Sequence, residues 1–490
     1  MTKAWYWHSY PLKRCTGSEI FAALFLSTDS SFATLLESPY PSDHNLLARY
    51  SICAGAPRVI QGQLQMWTPP VGKILPFLQE LLIKETRGEV SPFLSSNSVR
   101  ELGFPHDVIS DDFVTPFHLP FTGGCLGWLG YDLAWEIEQL PRYKDDSLPF
   151  PVAYWYIPES FAILDHVEQT LWLAATEVSG LDEMKTKLEV RESIKENNYS
   201  SLSKFSTLSS QEEYETAVQR AKKHIQAGDI FQANLSLRFT TQTNASGWNI
   251  YQALQKINPS PFACYYKTPW GEVVSCSPER LVQTQKINNL VQVSTRPIAG
   301  TRRRGTTPEQ DEMLAHELIN NIKELAEHIM LVDLERNDLG KVCEWGTVKV
   351  DELLTIERYS HVMHLVSNVT GLLKPNLNFV DLIGAVFPGG TITGCPKIRC
   401  MEIIEELEPV RRSLFYGSCG YLDWRGNLDL NILIRTLLVT SSGQEECNSV
   451  WGQVGAGIVA DSNPEDEWYE SLQKAQAQIM ALQNVCYPTI

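Results

Sequence analysis

The segment SVWGQVGAGIVADSNPEDEWYESLQKA (residues 449–475) contains both kinds of secondary structure from which the rest of the chain is built. Its first part, Ser449–Gly457, is predicted to be a β-strand. Ser462-Asn463-Pro464-Glu465 then combines a Ser-x-x-Glu capping pattern with an early proline, which predicts a helix running to about Gln483. Strands and helices in long alternating groups continue outward from this segment. They indicate large sheets with helices packed outside them.

Further elements are predicted from the spacing of apolar residues in the C-terminal two thirds of the chain. Glu272–Cys276 and Leu290–Thr295 are predicted to be a hairpin-like strand pair, and Leu430–Val439 a single, strongly apolar strand. Glu309 to about Leu334 is predicted to be one long amphipathic helix. Its apolar stripe comprises Met313, Leu314, Leu318, Ile322, Leu325 and Ile329.

Composition divides the chain into three parts. Residues 1–190 are predicted to form an N-terminal lobe, because the first 165 are rich in aromatic residues, proline and glycine. Residues 191–211 include ESIKENNYSSLSKFSTLSSQ, which is Ser/Asn/Lys-rich and predicts either a linker or a surface loop within one domain. Residues 212–480 carry the sharpest motifs and are predicted to be the catalytic region.

Charge and cysteine usage exclude several classes of protein. The chain has 490 residues, with 41 Lys and Arg against 58 Asp and Glu, so its net charge is −17. That balance argues against a nucleic-acid binder, but a small basic pocket for an anionic substrate remains compatible with it. No apolar run of about 18 residues occurs, so no membrane span is expected. Eleven scattered cysteines with no Cys-x-x-Cys pair and no signal peptide predict a cytoplasmic protein with reduced thiols.

Two Glu-x-x-Glu pairs are the first candidates for chemistry. Glu324 and Glu327 share one face of the long predicted helix, and Glu467 and Glu470 do the same near the start of the last helix, with Lys474 on that face. Two such helices can supply the all-oxygen ligands that Mg²⁺ prefers. Taken alone, this spacing is more typical of solvated helix faces.

Glycine and basic clusters are ambiguous on their own. FPGGTITGCPK (387–397) can place backbone N–H groups around an anion, but it is not a P-loop because no Lys-Ser/Thr follows Gly394. His361 and His364 are too few for a metal site and are more typical of core or surface histidines. Thr301–Gly305 and Arg411-Arg412 are basic islands that either form a solvated rim or attract an anionic substrate.

Seven motifs in a fixed order resemble the chorismate-utilising family that includes the component I subunits of anthranilate synthase and aminodeoxychorismate synthase. They are DIFQANLSLRF (229–239), SCSPERL (275–281), RPIAGTRRRG (296–305), KELAEHIMLVDLERNDLG (323–340), VMHLVSNVTG (362–371), FPGGTITGCPK (387–397) and GAGIVADSNPEDEWYESLQKA (455–475). The resemblance covers roughly residues 210–480 in detail. It implies an α+β sandwich of two large, mostly antiparallel sheets with outer helices.

The resemblance also implies roles for individual residues. Mg²⁺ would be held by Glu324, Glu327, Glu467 and Glu470, and Glu279 stands where the family places the acid that protonates the leaving 4-hydroxyl. Gln232 stands where water-adding members have a basic lysine, which points to ammonia as the nucleophile. The remaining positions that match substrate-holding or catalytic ones are His364, Thr391, Tyr416, Arg435, Gly455, Gly457 and Lys474.

Two ammonia-using branches of the family are open to this chain. Many aminodeoxychorismate synthases use a lysine in Pro-Ile-Lys-Gly-Thr as a covalent nucleophile, but here the residue is Ala299, which favours anthranilate synthase. The N-terminal segments, such as LPFPVAYWYIPESFAILDH (148–166), resemble the aminodeoxychorismate branch more, and SPYPS (38–42) replaces an acidic segment of the tryptophan feedback site. We therefore predict aminodeoxychorismate synthase, with anthranilate synthase as the alternative.

Partners and ligands follow from the same resemblance. About 15 residues remain after the last motif and no Gly-x-Cys-x-Gly nucleophile turn occurs, so a separate glutamine amidotransferase subunit is expected to supply ammonia. Glu37 and Ser38, together with Pro261 and Phe262, are predicted to form a tryptophan pocket. A non-catalytic regulator that binds chorismate or tryptophan is a more remote alternative.

Overall fold

The computed structural model describes residues 5–12, 15–26, 31–38, 49–86, 116–190, 201–287, 290–359, 362–441 and 447–486. Residues 39–42 of the predicted feedback-site segment, His361 and residues 191–200 of the predicted linker lie outside these ranges. Within the described ranges there are twenty-four strands and eleven α-helices, and every strand pairing is antiparallel. None of these helices is long and apolar enough to cross a membrane.

Twelve strands form the first sheet. In spatial order they are β1 (Tyr6–Pro11), β10 (Thr170–Ala175), β9 (Ser160–Asp165), β3 (Tyr50–Ala54), β2 (Ala33–Glu37), β13 (Phe262–Thr268), β14 (Gly271–Ser277), β23 (Thr436–Ser441), β24 (Asn448–Ile458), β12 (Gln232–Thr243) and β11 (Ser206–Thr207), with β20 (Gly394–Cys395) also paired to β12.

Ten strands form the second sheet. Their order is β17 (Ile298–Arg303), β19 (Val362–Leu372), β16 (Leu290–Arg296), β15 (Arg280–Ile287), β22 (Leu428–Asn431), β21 (Ser418–Asp423), β7 (Gly124–Leu129), β8 (Ala153–Tyr156) and β6 (Met66–Trp67), and β18 (Lys349–Arg358) pairs with β19. A separate hairpin joins β4 (Val59–Ile60) to β5 (Gln63–Leu64).

The α-helices are accompanied by two short 3₁₀ turns, at Tyr131–Leu133 and Gly390–Ile392. In chain order they are α1 (Gly17–Leu24), α2 (Ile74–Thr86), α3 (Ala134–Ile137), α4 (Val178–Val190), α5 (Gln211–Ala227), α6 (Gly247–Ile257), α7 (Pro308–Asn320), α8 (Ile322–Val342), α9 (Phe379–Val386), α10 (Lys397–Leu407) and α11 (Pro464–Cys486).

The two sheets face each other across one apolar core, and helices cover the outer face of the first sheet. Successive residues of β13 show this layering, because side chains alternate between the faces of a strand. Tyr266 packs between the sheets and donates a hydrogen bond to the Gly127 carbonyl of the second sheet at 3.0 Å. Tyr265 points the other way, against Phe21 of α1 and Trp248 of α6. The predicted α+β sandwich of two large antiparallel sheets is confirmed.

The predicted N-terminal lobe and the predicted catalytic region both contribute strands to the first sheet, since β2 pairs with β13 through the register Ala263↔Glu37. Described residues of the predicted linker also join this sheet: Leu202 forms a bridge with Thr243, and β11 pairs with β12. The division of the chain at residues 191–211 stays a prediction.

The long helix predicted for Glu309–Leu334 is wrong as a single element. It breaks at Asn321, whose backbone leaves the helical region and whose side chain accepts a hydrogen bond from the Glu324 N–H at 3.1 Å. Asn321 thereby caps α8, and capping residues favour such non-helical geometry. The predicted apolar stripe is confirmed only in part: Leu318 is buried with Leu314 and Leu325 packed beside it, whereas Met313 is 62% exposed and Ile322 is 83% exposed.

Two strand predictions are also wrong. Leu430–Val439 is divided between β22 of the second sheet and β23 of the first, so residues 432–435 cross from one sheet to the other. The apolar run is continuous because both sheets bury it. Glu272–Cys276 and Leu290–Thr295 lie in different sheets and do not pair, since β14 joins β13 and β23 whereas β16 joins β15 and β19.

Candidate active site

The candidate site forms where β12, β24, α8 and the loop before α10 approach one another. Gln232 begins β12 and donates from Nε2 to Glu327 Oε1 of α8 at 2.7 Å. Gly457 of β24, whose register partner is Asn234, lies against this pair: a Cβ atom there would overlap the Gln232 amide and lie 3.2 Å from Glu327 Oε1. Glycine is therefore required at 457 for the amide and the carboxyl to meet.

The paired carboxyls of α8 continue the site toward β17. Glu324 accepts a hydrogen bond from Arg302 at 3.1 Å, and its charge helps raise the pKa of Glu327, an effect to which burial contributes most. Gly300 lies against Glu324, since a Cβ there would stand 2.9 Å from Oε2, and its φ of +72° also favours glycine. Glu324, Glu327 and the β17 backbone thus form one wall.

His364 lies on the strand next to that wall. Its Nδ1 is 2.9 Å from the Thr301 hydroxyl, and burial lowers its pKa to about 3, with a further contribution from the Arg435 charge. Imidazole at 364 is therefore neutral at physiological pH. A neutral ring can hydrogen-bond a ligand without adding charge.

Arg435 occupies the crossing between the two sheets, with a φ of +51°. Its guanidinium donates to Asn258 Oδ1 at 2.8 Å, and burial lowers its pKa. Among the described residues no carboxylate forms an ion pair with it. A half-buried arginine without a carboxylate partner is suited to an anionic ligand.

Glu279 is the carboxyl whose charge acts on this arginine. It is 5% exposed, and burial raises the pKa of its carboxyl to about 8, with Glu335 adding to the effect. Its Oε1 has no hydrogen-bond partner within the described part of the chain. Glu279 is therefore a protonated carboxylic acid at neutral pH with an unused oxygen.

The glycine-rich loop closes the ring of contacts. The Thr391 carbonyl accepts a hydrogen bond from Asn234 Nδ2 at 3.4 Å, two residues along β12 from Gln232. Over the described residues the hydroxyls of Thr391 and Tyr416 make no close hydrogen bond. Thr391 nonetheless lies near enough to Glu279 to lower the pKa of that carboxyl. The sequence interpretation of this loop as a turn near an anion site is compatible with this placement.

Five of the residues singled out from the sequence, together with Asn234, carry orphaned polar atoms. Buried side-chain atoms without a partner, over the ranges that the structure describes, include Gln232 Oε1, Asn234 Oδ1, Glu279 Oε1, Thr391 Oγ1, Tyr416 Oη and Glu467 Oε2. Native proteins satisfy most buried polar groups, so such a cluster indicates a place where a ligand supplies the partners.

The second carboxylate pair lies at the start of α11. Burial raises the pKa of Glu467, and Glu470 adds to the effect. Glu470 forms an ion pair with Lys474 at 2.9 Å, and Lys474 Nζ also donates to the Gly455 carbonyl at 3.0 Å. Lys474 lies near enough to lower the pKa of both Glu327 and Glu467, so it connects the two pairs.

The four carboxylates do not form a closed metal centre here. Within the described ranges, no group of three or more His, Cys, Asp or Glu side chains is arranged to hold a metal ion. Arg302 and Lys474 occupy Glu324 and Glu470 as counter-ions. The donor set is nonetheless all-oxygen, and Glu467 Oε2 is buried without a partner, which fits a hard cation such as Mg²⁺.

Two neighbours of the site, Glu335 and Asn234, were missed by the sequence reasoning. Glu335 of α8 is buried, and burial together with the Asp338 charge raises its pKa to about 7. Its spacing of eleven residues from Glu324 places both on one helical face, which was a usable signal. Asn234 was detectable by the two-residue period of β12. Arg411 and Arg412 were expected at a solvated rim or facing a substrate, but both are buried in ion pairs with Asp132 and Glu408.

The residues predicted to bind tryptophan line a separate cavity of about 160 Å³ between the two sheets, with walls from β2 and β13 of the first sheet and from β15, β21 and β22 of the second. Glu37, Ser38, Pro261 and Phe262 all contribute to its wall. The Ser38 hydroxyl donates to the Pro261 carbonyl at 2.7 Å. The Glu37 carboxyl is occupied by donors from α1 and α6, so the cavity does not have this group free to bind an ammonium. Tryptophan binding there stays a prediction.

A two-sheet α+β fold with a buried cleft of carboxyls, amides and one unpaired arginine defines an enzyme for an anionic small molecule. The sequence pattern of the family described as chorismate binding enzyme matches residues 92–480. The chain belongs to this family and is a chorismate-utilising enzyme.

Relatives within the family carry two different names. A Synechocystis protein named anthranilate synthase component I-like is 59% identical over 486 residues, covering 98% of this chain and 92% of its own length. Aminodeoxychorismate synthase component 1 of Bacillus subtilis is 45% identical, covering 74% and 77%. Anthranilate synthase component 1 of the same Synechocystis strain is 39% identical, covering 82% and 85%.

A solved structure supports the fold. The crystal structure of anthranilate synthase component I from Streptococcus pneumoniae superimposes with a TM-score of 0.70 at 29% identity, and the match covers 96% of this chain and 100% of that one. The specific type of sandwich predicted from the sequence is therefore confirmed.

Proposed function

We propose that this enzyme converts chorismate and ammonia to 4-amino-4-deoxychorismate and water, with Mg²⁺ and a separate glutaminase subunit that releases the ammonia. The observation that carries the proposal is the cluster of unpartnered buried polar atoms on Gln232, Glu279, Thr391, Tyr416 and Glu467. In the resemblance, these positions contact substrate, nucleophile or metal. A substrate rich in oxygen atoms would satisfy them.

Glu279 is the proposed general acid. Loss of the 4-hydroxyl requires a proton, because hydroxide is a poor leaving group. A carboxyl with a pKa of about 8 keeps its proton at neutral pH, and its free Oε1 is available to reach the leaving oxygen. The hydroxyl then departs as water.

Gln232 supports ammonia as the nucleophile. Its amide has no basic lone pair, so it cannot activate water, whereas ammonia brings its own lone pair. Nε2 is held by Glu327 at 2.7 Å, which leaves Oε1 to accept a hydrogen bond from ammonia. Gln232→Lys should lower the ammonia-dependent rate, because the charged lysine side chain would pair with Glu327 and repel ammonium ions from solution. An unchanged ammonia-dependent rate for this variant would contradict the role of Gln232.

Arg435 and Lys474 are the proposed partners of the two chorismate carboxylates. Arg435 is half-buried and lacks a carboxylate partner among the described residues, so an anion would compensate its charge. His364, Thr391 and Tyr416 would supply neutral hydrogen-bonding groups around the ring. Gly455 and Gly457 let the β24 backbone approach closely, since Cβ atoms at either position would overlap β12.

Mg²⁺ would be held by Glu324, Glu327, Glu467 and Glu470. When bound, the metal neutralises the ring carboxylate and stabilises negative charge during departure of the hydroxyl. Binding requires Glu324 and Glu470 to release Arg302 and Lys474, their present partners. Lys474 would then be free to face the substrate.

Anthranilate synthase is the second candidate, and Ala299 favours it. Ala299 lies on β17, one residue before Gly300, and its methyl group excludes a covalent lysine intermediate at that position. Two observations favour amination at C4. Aminodeoxychorismate synthase component 1 of B. subtilis is 45% identical, and in Synechocystis the relative at 59% is a different protein from that organism's anthranilate synthase component 1.

Product analysis decides between the candidates. The purified protein is incubated with chorismate, Mg²⁺ and excess ammonium at alkaline pH. The products are separated by chromatography and identified by mass spectrometry. An aminated product that retains its enolpyruvyl group supports the proposal. Anthranilate with equimolar pyruvate would instead establish the second candidate. Thermal stabilisation by chorismate and Mg²⁺ without any product would indicate a binding protein.

A further inference from the structure

Two consecutive buried arginines follow α10, and they differ in what they hold. Arg411 is 4% exposed and Arg412 is 2% exposed. Each pairs with one buried carboxylate, Arg411 with Asp132 at 2.9 Å and Arg412 with Glu408 at 2.7 Å. They are thus similar in burial and in charge compensation.

The other donors of Arg412 go to backbone carbonyls of two separate segments. One terminal nitrogen donates to the Ile392 carbonyl at 2.7 Å, and the other donates to the Asn234 carbonyl at 2.6 Å. The guanidinium carbon also lies 4.6 Å from the centre of the Tyr416 ring. Arg412 therefore joins the Gly389–Gly394 loop, β12 and Tyr416.

Each of these contacts lies beside a residue of the proposed site. Ile392 follows Thr391, and Asn234 lies two residues from Gln232 on the same face of β12. The Asn234 N–H donates to the Thr393 carbonyl at 2.8 Å, so the loop and the strand are already in direct contact. Arg412 bridges the same two segments through its hydrogen bonds to the Ile392 and Asn234 carbonyls.

Glu408 anchors the bridge to β12 a second time. Its Oε1 accepts hydrogen bonds from the Ser236 N–H at 2.8 Å and the Ser236 hydroxyl at 2.7 Å. Its Oε2 accepts from Arg412 Nε at 3.0 Å. Hydrogen bonds to charged groups are stronger than neutral ones, so this cluster resists displacement of the loop from the strand.

We propose that Arg412 is a positioning residue that sets the distance between the Thr391 loop and the Gln232 end of β12. A carbonyl on each segment accepts from one planar guanidinium, and a planar fork fixes the separation of its two acceptors. Arg412 itself touches none of the groups proposed to react. Its consequence for turnover rests on the proposed function, whereas its effect on the loop does not.

Arg411 provides the matched control. Its side chain pairs with Asp132, donates weakly to the Lys144 carbonyl at 3.5 Å and lies 4.0 Å from the centre of the Trp135 ring. None of these partners belongs to the Gly389–Gly394 loop or to β12. Replacing Arg411 therefore costs a buried ion pair without loosening the site.

The test compares Arg412→Lys with Arg411→Lys in the full chain by amide hydrogen exchange. Lysine keeps the charge but cannot bridge two carbonyls. Arg412→Lys is expected to accelerate exchange at the Asn234 and Thr393 amides by about tenfold or more. The charged hydrogen bonds to the Ile392 and Asn234 carbonyls are lost, so the loop and the strand separate more often. Arg411→Lys should leave these two amides within about twofold of the parent protein. Equal acceleration in both variants, or in neither, would overturn the proposal.

Turnover supplies an independent readout. If the parent protein aminates chorismate, Arg412→Lys should lower kcat by about 10- to 100-fold with KM little changed, because misplaced groups lose reactive geometry. A parent protein without turnover would refute the proposed function, while the exchange comparison would still decide the role of Arg412. If Arg412→Lys does not fold, Glu408→Gln against Asp132→Asn is judged by the same exchange criterion.

Discussion

Two buried glutamates in different regions of the molecule differ in their partners. Glu37 on β2 is 2% exposed and Glu279 beside β15 is 5% exposed, and burial raises the pKa of both carboxyls. Glu37 accepts hydrogen bonds from the Ser18 N–H and hydroxyl at 2.7 Å each, from the Tyr251 hydroxyl at 2.8 Å and from the Gln255 amide. Glu279 Oε1 accepts none within the part of the chain that the structure describes.

The difference in hydrogen-bond partners distinguishes a carboxyl with a structural role from one with a proposed role in the reaction. Glu37 uses its acceptors to hold the first sheet to α1 and α6, so its burial is compensated within the fold. Glu279 is left with acceptor capacity near the half-buried Arg435, and its burial is compensated by keeping its proton. Residue type and exposure are the same, and only the hydrogen-bond partners distinguish the two.

The largest expected effect is the loss of turnover in Glu279→Gln. An amide cannot donate a proton to the leaving hydroxyl, and general acids contribute roughly 10²- to 10⁴-fold to rate. We expect kcat to fall within that range with chorismate affinity little changed, as measured by steady-state kinetics and calorimetry. Glu37→Gln is the control and should stay within about twofold of the parent rate without tryptophan. Equal rates for Glu279→Gln and the parent protein would remove Glu279 as the acid.

The next largest expected effect is a limb in the pH–rate profile: activity falls at high pH because Glu279 alone ionises. The protonated carboxyl is the active form, so activity is retained below the pKa of about 8 and lost as pH rises through it. We expect kcat/KM, measured at a fixed concentration of free ammonia, to fall about tenfold per pH unit above that value. The Glu279→Gln profile should lack this limb. A limb that persists in the variant would show that another group titrates.

The structure tests the predicted path of the chain, whereas the roles of the predicted site residues stay predictions. Glu279, Gln232 and the carboxylate pairs were detectable because short motifs carry them, and a motif keeps its residues whatever element surrounds it. The break at Asn321 was not detectable from periodicity, since apolar residues continue at helical spacing on both sides of it. The crossing at residues 432–435 was hidden for a similar reason, because both of its strands are apolar. The partners that distinguish Glu37 from Glu279 come from α1 and α6, which are distant in sequence from β2.

A smaller effect is expected on stability, and it belongs to Glu37. Glu37→Gln would turn one acceptor oxygen into a donor facing the donors of Ser18, Tyr251 and Gln255. An unsatisfied buried group costs about 1–3 kcal/mol, so the free energy of unfolding should fall by that amount in urea denaturation. Glu279→Gln should be neutral or stabilising at pH 8, because it removes a carboxyl whose ionisation in the fold is costly. A larger loss of stability in Glu279→Gln than in Glu37→Gln would reverse the comparison.

The smallest predicted effect concerns a single donor, Tyr251. Its hydroxyl donates to Glu37, whereas the equally buried Tyr156 hydroxyl donates to the neutral Thr34 hydroxyl at 2.8 Å. Burial raises the pKa of Glu37, so its carboxyl ionises at a higher pH than an exposed one. As pH rises, the ionised fraction of Glu37 increases and the hydrogen bond from Tyr251 becomes stronger. Tyr251→Phe should cost about 0.5–1.5 kcal/mol at low pH, where the carboxyl is neutral, and about 1.5–3 kcal/mol once it ionises. Tyr156→Phe should cost about 0.5–1.5 kcal/mol at every pH. If urea denaturation shows the same pH dependence for both variants, Glu37 does not ionise in the folded protein, and its donors hold a neutral acid just as Glu279 holds its proton.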